Sequence, residues 1–236
     1  MADTFTIGVY WKTRQETLEE AIKDSAKRLS RLLTDIQSLP LPLQNWFLKS
    51  RSPLKKVPID NNLEYIEALM ADKTQDFVGS SQVVSSAGIT LGFWNGNETS
   101  SAGMTISCCT FSSRLTNACV IDLDFTLNPQ IGYAIAMNLL RMLAYVWEPQ
   151  NGVVISTQFR RQTRLYTVPM VGWITYFSDL RFLPTLPDFV QVEKDQNDGG
   201  FLVATTDTFD SENIQHTENL RQLIETLVEH NVVKVD

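Results

Sequence analysis

Three segments with the length and composition of β-strands follow one another in the middle of the chain, and no helical segment separates them. They cover residues 89–94, 104–111 and 119–125. Asn95-Gly96-Asn97-Glu98, between the first two, is a strong turn signal. Strands that follow strands are typical of an antiparallel or mixed sheet. We therefore predict an α+β fold in which helices pack on such a sheet.

Further strand patterns lie on both sides of this region. Phe5, Ile7 and Val9 alternate with polar or small residues and predict a first strand. Further strands are predicted at 153–158 and 171–177, and a hairpin at 189–193 and 201–205. No repeat and no linker-like composition divides the chain, so we predict a single domain over residues 1–236.

Three amphipathic helices are predicted from their apolar faces. The first follows Thr13 and Glu16, which have the spacing of a capping box, and it ends before Pro40. The second is capped by Asp60, and the C-terminal helix is capped by Asp210 or Ser211. Their apolar faces are, in order, Leu18, Ile22, Leu29, Leu32, Leu33 and Ile36; Leu63, Ile66, Leu69 and Met70; and Ile214, Leu220, Leu223, Ile224 and Leu227.

A fourth helix, over residues 131–147, is apolar almost all round and opens after Asn128-Pro129. At about 1.5 Å per residue it reaches only about 25 Å, less than the roughly 30 Å of a membrane's hydrocarbon core. Asn138 and Arg141 lie near its middle, where a charged side chain is costly in lipid. We predict a buried central helix and no contact with a membrane.

The cysteines and histidines give little support for catalysis or metal binding. Cys108, Cys109 and Cys119 are odd in number and lack a C-x-x-C spacing, so they are interpreted as buried, reduced thiols. Cys108 and Cys109 should point to opposite faces if both lie in a strand. His216 and His230 are interpreted as structural or exposed, and no common nucleotide-binding or hydrolase motif occurs. We predict no catalytic residues, no metal and no cofactor.

One alternative is a metal-dependent hydrolase built on Asp122 and Asp124. Both alternate with apolar residues, so on a strand their carboxylates would share one face about 7 Å apart. That spacing could hold a divalent cation. A solvated strand face explains the pair better, because the sequence supplies no third ligand.

The negative charge of the protein is concentrated at its C-terminal end. The net charge is −7, and residues 188–236 hold three basic residues against 11 acidic ones. This balance favours a basic partner and disfavours direct nucleic-acid binding. Basic residues at 49–56 and at Arg160, Arg161 and Arg164 are interpreted as solvated loop charges. We predict that the acids of residues 188–212 contact a partner: Asp188, Glu193, Asp195, Asp198, Asp207, Asp210 and Glu212.

Several short motifs, taken in order, resemble one protein family. Tyr10-Trp11 is followed by Arg14, Glu16 and the first helix, then by the patch around Trp46 and the basic loop entering Ile59-Asp60. Leu91-Gly92-Phe93-Trp94-Asn95-Gly96 is the most specific of these motifs. The set resembles the immunity protein 52 family of bacterial polymorphic toxin systems over residues 5–200.

This resemblance implies a cytoplasmic antitoxin for a toxin with a restriction-endonuclease-like nuclease domain, of the kind delivered by contact-dependent systems such as type VI secretion. It implies a protein that binds its toxin directly and is not an enzyme. Trp94, Asn95 and Gly96 carry over as structural residues. A non-catalytic adaptor of a secretion apparatus is a further alternative. The sequence leaves open the oligomeric state, and whether inhibition covers the toxin's active site or blocks its assembly.

Overall fold

A ten-stranded antiparallel sheet forms the centre of the computed structural model, which describes residues 3–14, 17–49, 56–75, 88–110, 115–127, 132–163, 167–195 and 198–235. Its strand order is β10-β11-β9-β7-β1-β6-β5-β4-β2-β3, and β8 pairs separately with β12. The strands are β1 Phe5–Trp11, β2 Phe47–Leu48, β3 Val57–Pro58, β4 Ile89–Trp94, β5 Ala102–Cys108, β6 Asn117–Leu123, β7 Asn151–Ser156, β8 Thr167–Val168, β9 Ile174–Phe177, β10 Gln191–Lys194, β11 Gly200–Val203 and β12 Lys234–Val235. The predicted α+β class is confirmed.

The first strand of the chain lies in the middle of the sheet. Ile7 of β1 pairs with Ile121 of β6 on one side and with Val154 of β7 on the other. All three side chains lie on the same face and are fully buried. Because side chains alternate across a strand, the apolar alternation of β1 sets which face of the sheet the core occupies.

The helices are α1 Leu18–Asp35, α2 Leu63–Gln75, α3 Gly132–Trp147, α4 Thr157–Thr163 and α5 Ile214–Glu229. The predicted buried central helix is confirmed as α3, whereas Asn128, Pro129 and Ile131 lie outside the described residues. Its last residue, Trp147, stacks on Trp11 of β1 with ring centroids 4.8 Å apart. Within the described part of the chain, no helix has the length and apolar character needed to cross a membrane.

Two arginines tie the end of α3 to α1. Arg28 donates to the Val146 carbonyl oxygen at 2.5 Å, and Arg14 donates to that of Trp147 at the same distance. Both guanidinium groups also bind the Asp24 carboxylate. The last carbonyl groups of a helix lack helical partners and carry partial negative charge, so cations there stabilise it. We call Arg14, Arg28, Trp11 and Trp147 the α1–α3 junction.

The predicted start of α1 is wrong by four residues. The capping box is formed by Thr17 and Glu20, which satisfy each other's main-chain amides. Thr13 has the same spacing to Glu16, but Arg14 beside it is held by the junction, and residues 15–16 lie outside the described residues.

The other two predicted helix caps are also displaced. Asn62, not Asp60, accepts from the Tyr65 amide in the first turn of α2, while Asp60 accepts from the amide of Asn62. Asn213 caps α5, and the Asp210 carboxylate accepts from the Glu212 amide. Ile214 was predicted on the buried face of α5 but is 82% exposed, because it lies at the helix start, outside the core.

The three cysteines are free and buried, as predicted. Cys108 and Cys109 do not point to opposite faces, since β5 ends at Cys108 and Cys109 adopts a φ of 58°. Their sulfur atoms lie 3.7 Å apart. The neighbouring thiol and burial together raise the pKa of Cys108, so this thiol stays protonated and unreactive.

Candidate functional site

The structure separates the acids of residues 188–212 into two groups. Asp195 and Asp198 flank the tip of the β10–β11 hairpin. Asp188 precedes β10, and the remaining acids follow β11, at the opposite end of these strands: Asp207, Asp210 and Glu212. Residues 207–212 lead away from the edge strand β10, because the Ser211 amide donates to the Asp3 carboxylate beside the central strand β1, four strands from β10. Six of the seven predicted side chains are exposed.

Glu193 is the exception, because its carboxylate is bound within the protein. The Tyr133 hydroxyl donates to one carboxylate oxygen at 2.6 Å, and the Arg141 guanidinium binds the other. Burial, with a contribution from Glu193, raises the pKa of Tyr133 to about 12. Glu193 therefore ties the edge strand β10 to α3, and its charge is already paired.

Asp198, Asp207 and Asp210 make local contacts. Asp198 has a φ of 58° and its carboxylate lies 3.8 Å from Arg181, which also binds Asp179. Asp207 lies 4.0 Å from Nε2 of His216. That histidine is buried, and its Nδ1 accepts from the Asp210 amide at 3.1 Å. His216 thus orders the turn that carries these acids, in agreement with the structural role predicted for it.

Beside this edge lies a surface that the sequence analysis missed. It combines the outer side of α3 with β10, and we call Arg141, Tyr145, Glu193, Lys194 and Asp195 the α3–β10 surface. Four of these residues, with Phe201, line a depression of about 460 Å³. Tyr145 is 65% exposed, and the Arg31 guanidinium lies 4.2 Å from its ring centroid. Exposed tyrosine and arginine are enriched in protein–protein interfaces.

The spacing of polar residues in α3 could have revealed this surface. The exposed positions of this otherwise buried helix form a single stripe: Ala134, Asn138, Arg141 and Tyr145. Steps of three and four residues place side chains on one helical face. In the sequence analysis Arg141 served only as evidence against a membrane span.

Asp122 and Asp124 are both exposed on either side of the buried Leu123, as the predicted alternation requires. The Asp124 amide donates to the Ser101 carbonyl oxygen and so continues the ladder between β5 and β6. Asp122 accepts from the Thr6 hydroxyl at 2.7 Å. Among the described residues, no three histidine, cysteine, aspartate or glutamate side chains are placed to hold a metal ion.

The Trp94-Asn95-Gly96 turn has contacts that agree with the structural role carried over for it. The Asn95 amide group donates to the carbonyl oxygens of Pro42 and Ser100, and its oxygen accepts from the Ala102 amide. Gly96 has a φ of +73°, and a Cβ there would lie 2.4 Å from the Phe47 ring.

The basic clusters show no sign of a shared site in the described residues. Lys56 lies 4.9 Å from the Trp94 ring centroid, and Arg160 and Arg161 lie on α4. Residues 50–55 and Arg164 lie outside the described residues.

These features define an α+β protein whose notable surface is a charged and aromatic sheet edge suited to contact with another protein. The chain belongs to the immunity protein 52 family, whose model matches residues 3–235. The family predicted from the short motifs is therefore confirmed. Among curated proteins, none matches the chain significantly. Among solved structures, the Pseudomonas aeruginosa T6SS protein PA0821 is similar over 94% of this chain and 73% of its own, with a TM-score of 0.49 and 12% sequence identity.

Proposed function

We propose that this immunity protein neutralises a cognate nuclease-type toxin in the cytoplasm by direct contact, without catalysis. We further propose that the acidic segment of residues 188–212 forms part of the contact. The observation that supports this proposal is the exposure of six acidic side chains in a segment that has a single basic residue, Lys194. Membership of an immunity family supports a toxin as the partner.

The physical reason lies in the chemistry of the target. An enzyme that cuts nucleic acid presents a basic cleft to phosphate groups. An acidic surface on its inhibitor speeds the encounter and opposes wrong partners. Acidic side chains that precede β10, flank the β10–β11 hairpin tip and follow β11 match an extended cleft better than a single point of charge does. Such contact stops the toxin either by covering the cleft or by preventing its assembly.

The experiment measures association with the toxin encoded beside the immunity gene, rendered catalytically inactive. A triple variant, Asp188→Lys, Asp207→Lys and Glu212→Lys, avoids the aspartate whose carboxylate holds the 210–212 turn. Steered association rates fall by about 10-fold or more when such charges are reversed, and the loss is largest at low salt. Stopped-flow fluorescence at two salt concentrations measures the rate.

The matched control reverses three exposed acids elsewhere: Glu64→Lys, Glu98→Lys and Asp124→Lys. Both variants change the net charge by the same amount, so a specific interface predicts a much smaller loss for the control. Equal rates for the two variants would remove residues 188–212 from the interface. If the unaltered protein neither binds the toxin nor rescues cells that co-express its active form, the proposed function is wrong.

A further inference from the structure

The outer edge of β10 carries main-chain groups that face away from the sheet. The Asp195 amide donates to the Gly199 carbonyl oxygen at 2.8 Å, which continues the ladder between β10 and β11. Main-chain groups alternate in direction along a strand, so those of Glu193 and Gln191 also face β11. The N–H and C=O groups of Val192 and Lys194 therefore point outward. In the described part of the chain, no strand pairs with that side.

Both faces beside this edge offer contacts to an added strand. On one face Val192 is 42% exposed, next to the buried Leu202. On the other face lies the depression of the α3–β10 surface, which Tyr145 and Phe201 line. An added strand would place alternate side chains on these two faces. Glu193 does not block the edge, because Arg141 and Tyr133 hold its carboxylate.

The opposite edge of the sheet lacks these features. β3 is two residues long and ends in Pro58, which has no N–H group to donate. Short strands and prolines are common protection at sheet edges. The molecule therefore presents one edge suited to strand addition and one that is not.

The charges around β10 indicate the chemistry of the occupant. Arg141 binds Glu193, and Arg181 lies within 4 Å of both Asp179 and Asp198. Counted together, the charged groups around the strand are more acidic than basic: Asp179, Asp188, Glu193, Asp195 and Asp198 against Arg141, Arg181 and Lys194. Acids at both ends of a short strand favour an extended segment that carries basic residues at its own ends.

We propose that an extended, basic-flanked segment of the toxin adds to β10 as an additional strand of the sheet. This inference rests on the proposed function and specifies how the contact is made. Main-chain hydrogen bonds to Val192 and Lys194 supply affinity, and the flanking acids select basic residues.

Val192→Pro tests the proposal, because proline removes an N–H group that points outward and leaves the β10–β11 ladder intact. The matched control, Val192→Ala, shortens the side chain but keeps the N–H group. We expect equal circular dichroism spectra and similar melting temperatures for the two. We expect the Kd for the inactive toxin domain to be about 5- to 150-fold higher for the proline variant, the cost of a buried carbonyl group left without its donor.

Hydrogen exchange of the unaltered protein gives a second measurement that needs no variant. Toxin binding should protect the amides of Val192 and Lys194, whereas Glu193, already bonded to β11, should change little. If the two variants bind the toxin equally well, or if the outward-facing amides are not protected, strand addition is overturned. The proposed function is then still decided by the charge-reversal experiment. If the unaltered protein self-associates, and Val192→Pro makes it monomeric without changing toxin binding, then a second copy of the chain pairs with β10. That outcome would also overturn the proposal. Absence of toxin binding by the unaltered protein would reject both proposals.

Discussion

The α1–α3 junction and the α3–β10 surface both combine arginine and aromatic side chains at α3, but they differ in how deeply the aromatic ring is buried. At the junction, the Arg28 guanidinium donates to a main-chain carbonyl oxygen, and Trp147 is fully buried. On the surface, Arg141 binds an edge-strand carboxylate and Tyr145 is largely exposed. The comparison teaches that the burial of an aromatic or arginine side chain, more than its type, separates residues that hold the core together from residues that remain on the surface.

The largest expected effect separates Trp147 from Tyr145, two residues apart on α3. Trp147→Ala removes a fully buried ring stacked on Trp11 and should lower the free energy of unfolding by about 3–5 kcal/mol. Tyr145→Ala should change it by only about 0.5 kcal/mol, as expected at an exposed position. Urea denaturation measures both values. Toxin binding should show the reverse order, with the folded Tyr145→Ala variant the weaker binder. Similar unfolding energies would break the comparison.

A smaller effect should separate Arg28 from Arg31, which are three residues apart on α1. The Arg28 guanidinium donates to both the Val146 carbonyl oxygen and the Asp24 carboxylate, and Arg28→Met removes this shared donor. We expect a loss of about 1–3 kcal/mol. Arg31→Met removes an exposed guanidinium from Asp35 and Tyr145, so we expect a loss below about 1 kcal/mol. Thermal and urea unfolding measure the pair, and a costly Arg31 variant would place Tyr145 in the folding unit.

The parts of the fold that the sequence predicts well are those with a strong local period. Ile89–Trp94 and the buried helix to Trp147 were predicted because side-chain alternation and an apolar circumference are properties of single segments. The start of α1 failed because Thr13 and Thr17 both satisfy the capping-box pattern. The choice between them depends on Arg14, whose partner lies 133 residues away.

The site was harder to predict because its geometry depends on strand order. β10 lies at one edge of the sheet, whereas β1, the first strand of the chain, lies in the middle. No local pattern in Gln191–Lys194 indicates which side remains unpaired. Two-residue strands such as β2 and β3 are too short to show a period, and they are positioned by pairing with each other and with β4. The charge distribution along the sequence identified the acidic segment, but only the tertiary structure showed that Tyr133 and Arg141 bind the Glu193 carboxylate.

The smallest expected effect concerns the half-buried Asp179 next to the hairpin tip, whose charge interacts with the exposed Arg181 through hydrogen bonds. Two guanidinium bonds and the main-chain amide of Arg181 lower the pKa of Asp179 to about 2. Because the folded pKa lies below the unfolded value of about 3.9, this pair stabilises the fold above that pH and the contribution is lost as the pH falls toward 2. In Arg181→Gln the pKa should rise only part of the way, since the main-chain amide still donates. NMR titration of the carboxyl carbon measures it, with Arg161→Gln as the control. A full return to about 3.9 would mean that the guanidinium also holds the turn, so that even this exposed arginine acts like those of the α1–α3 junction.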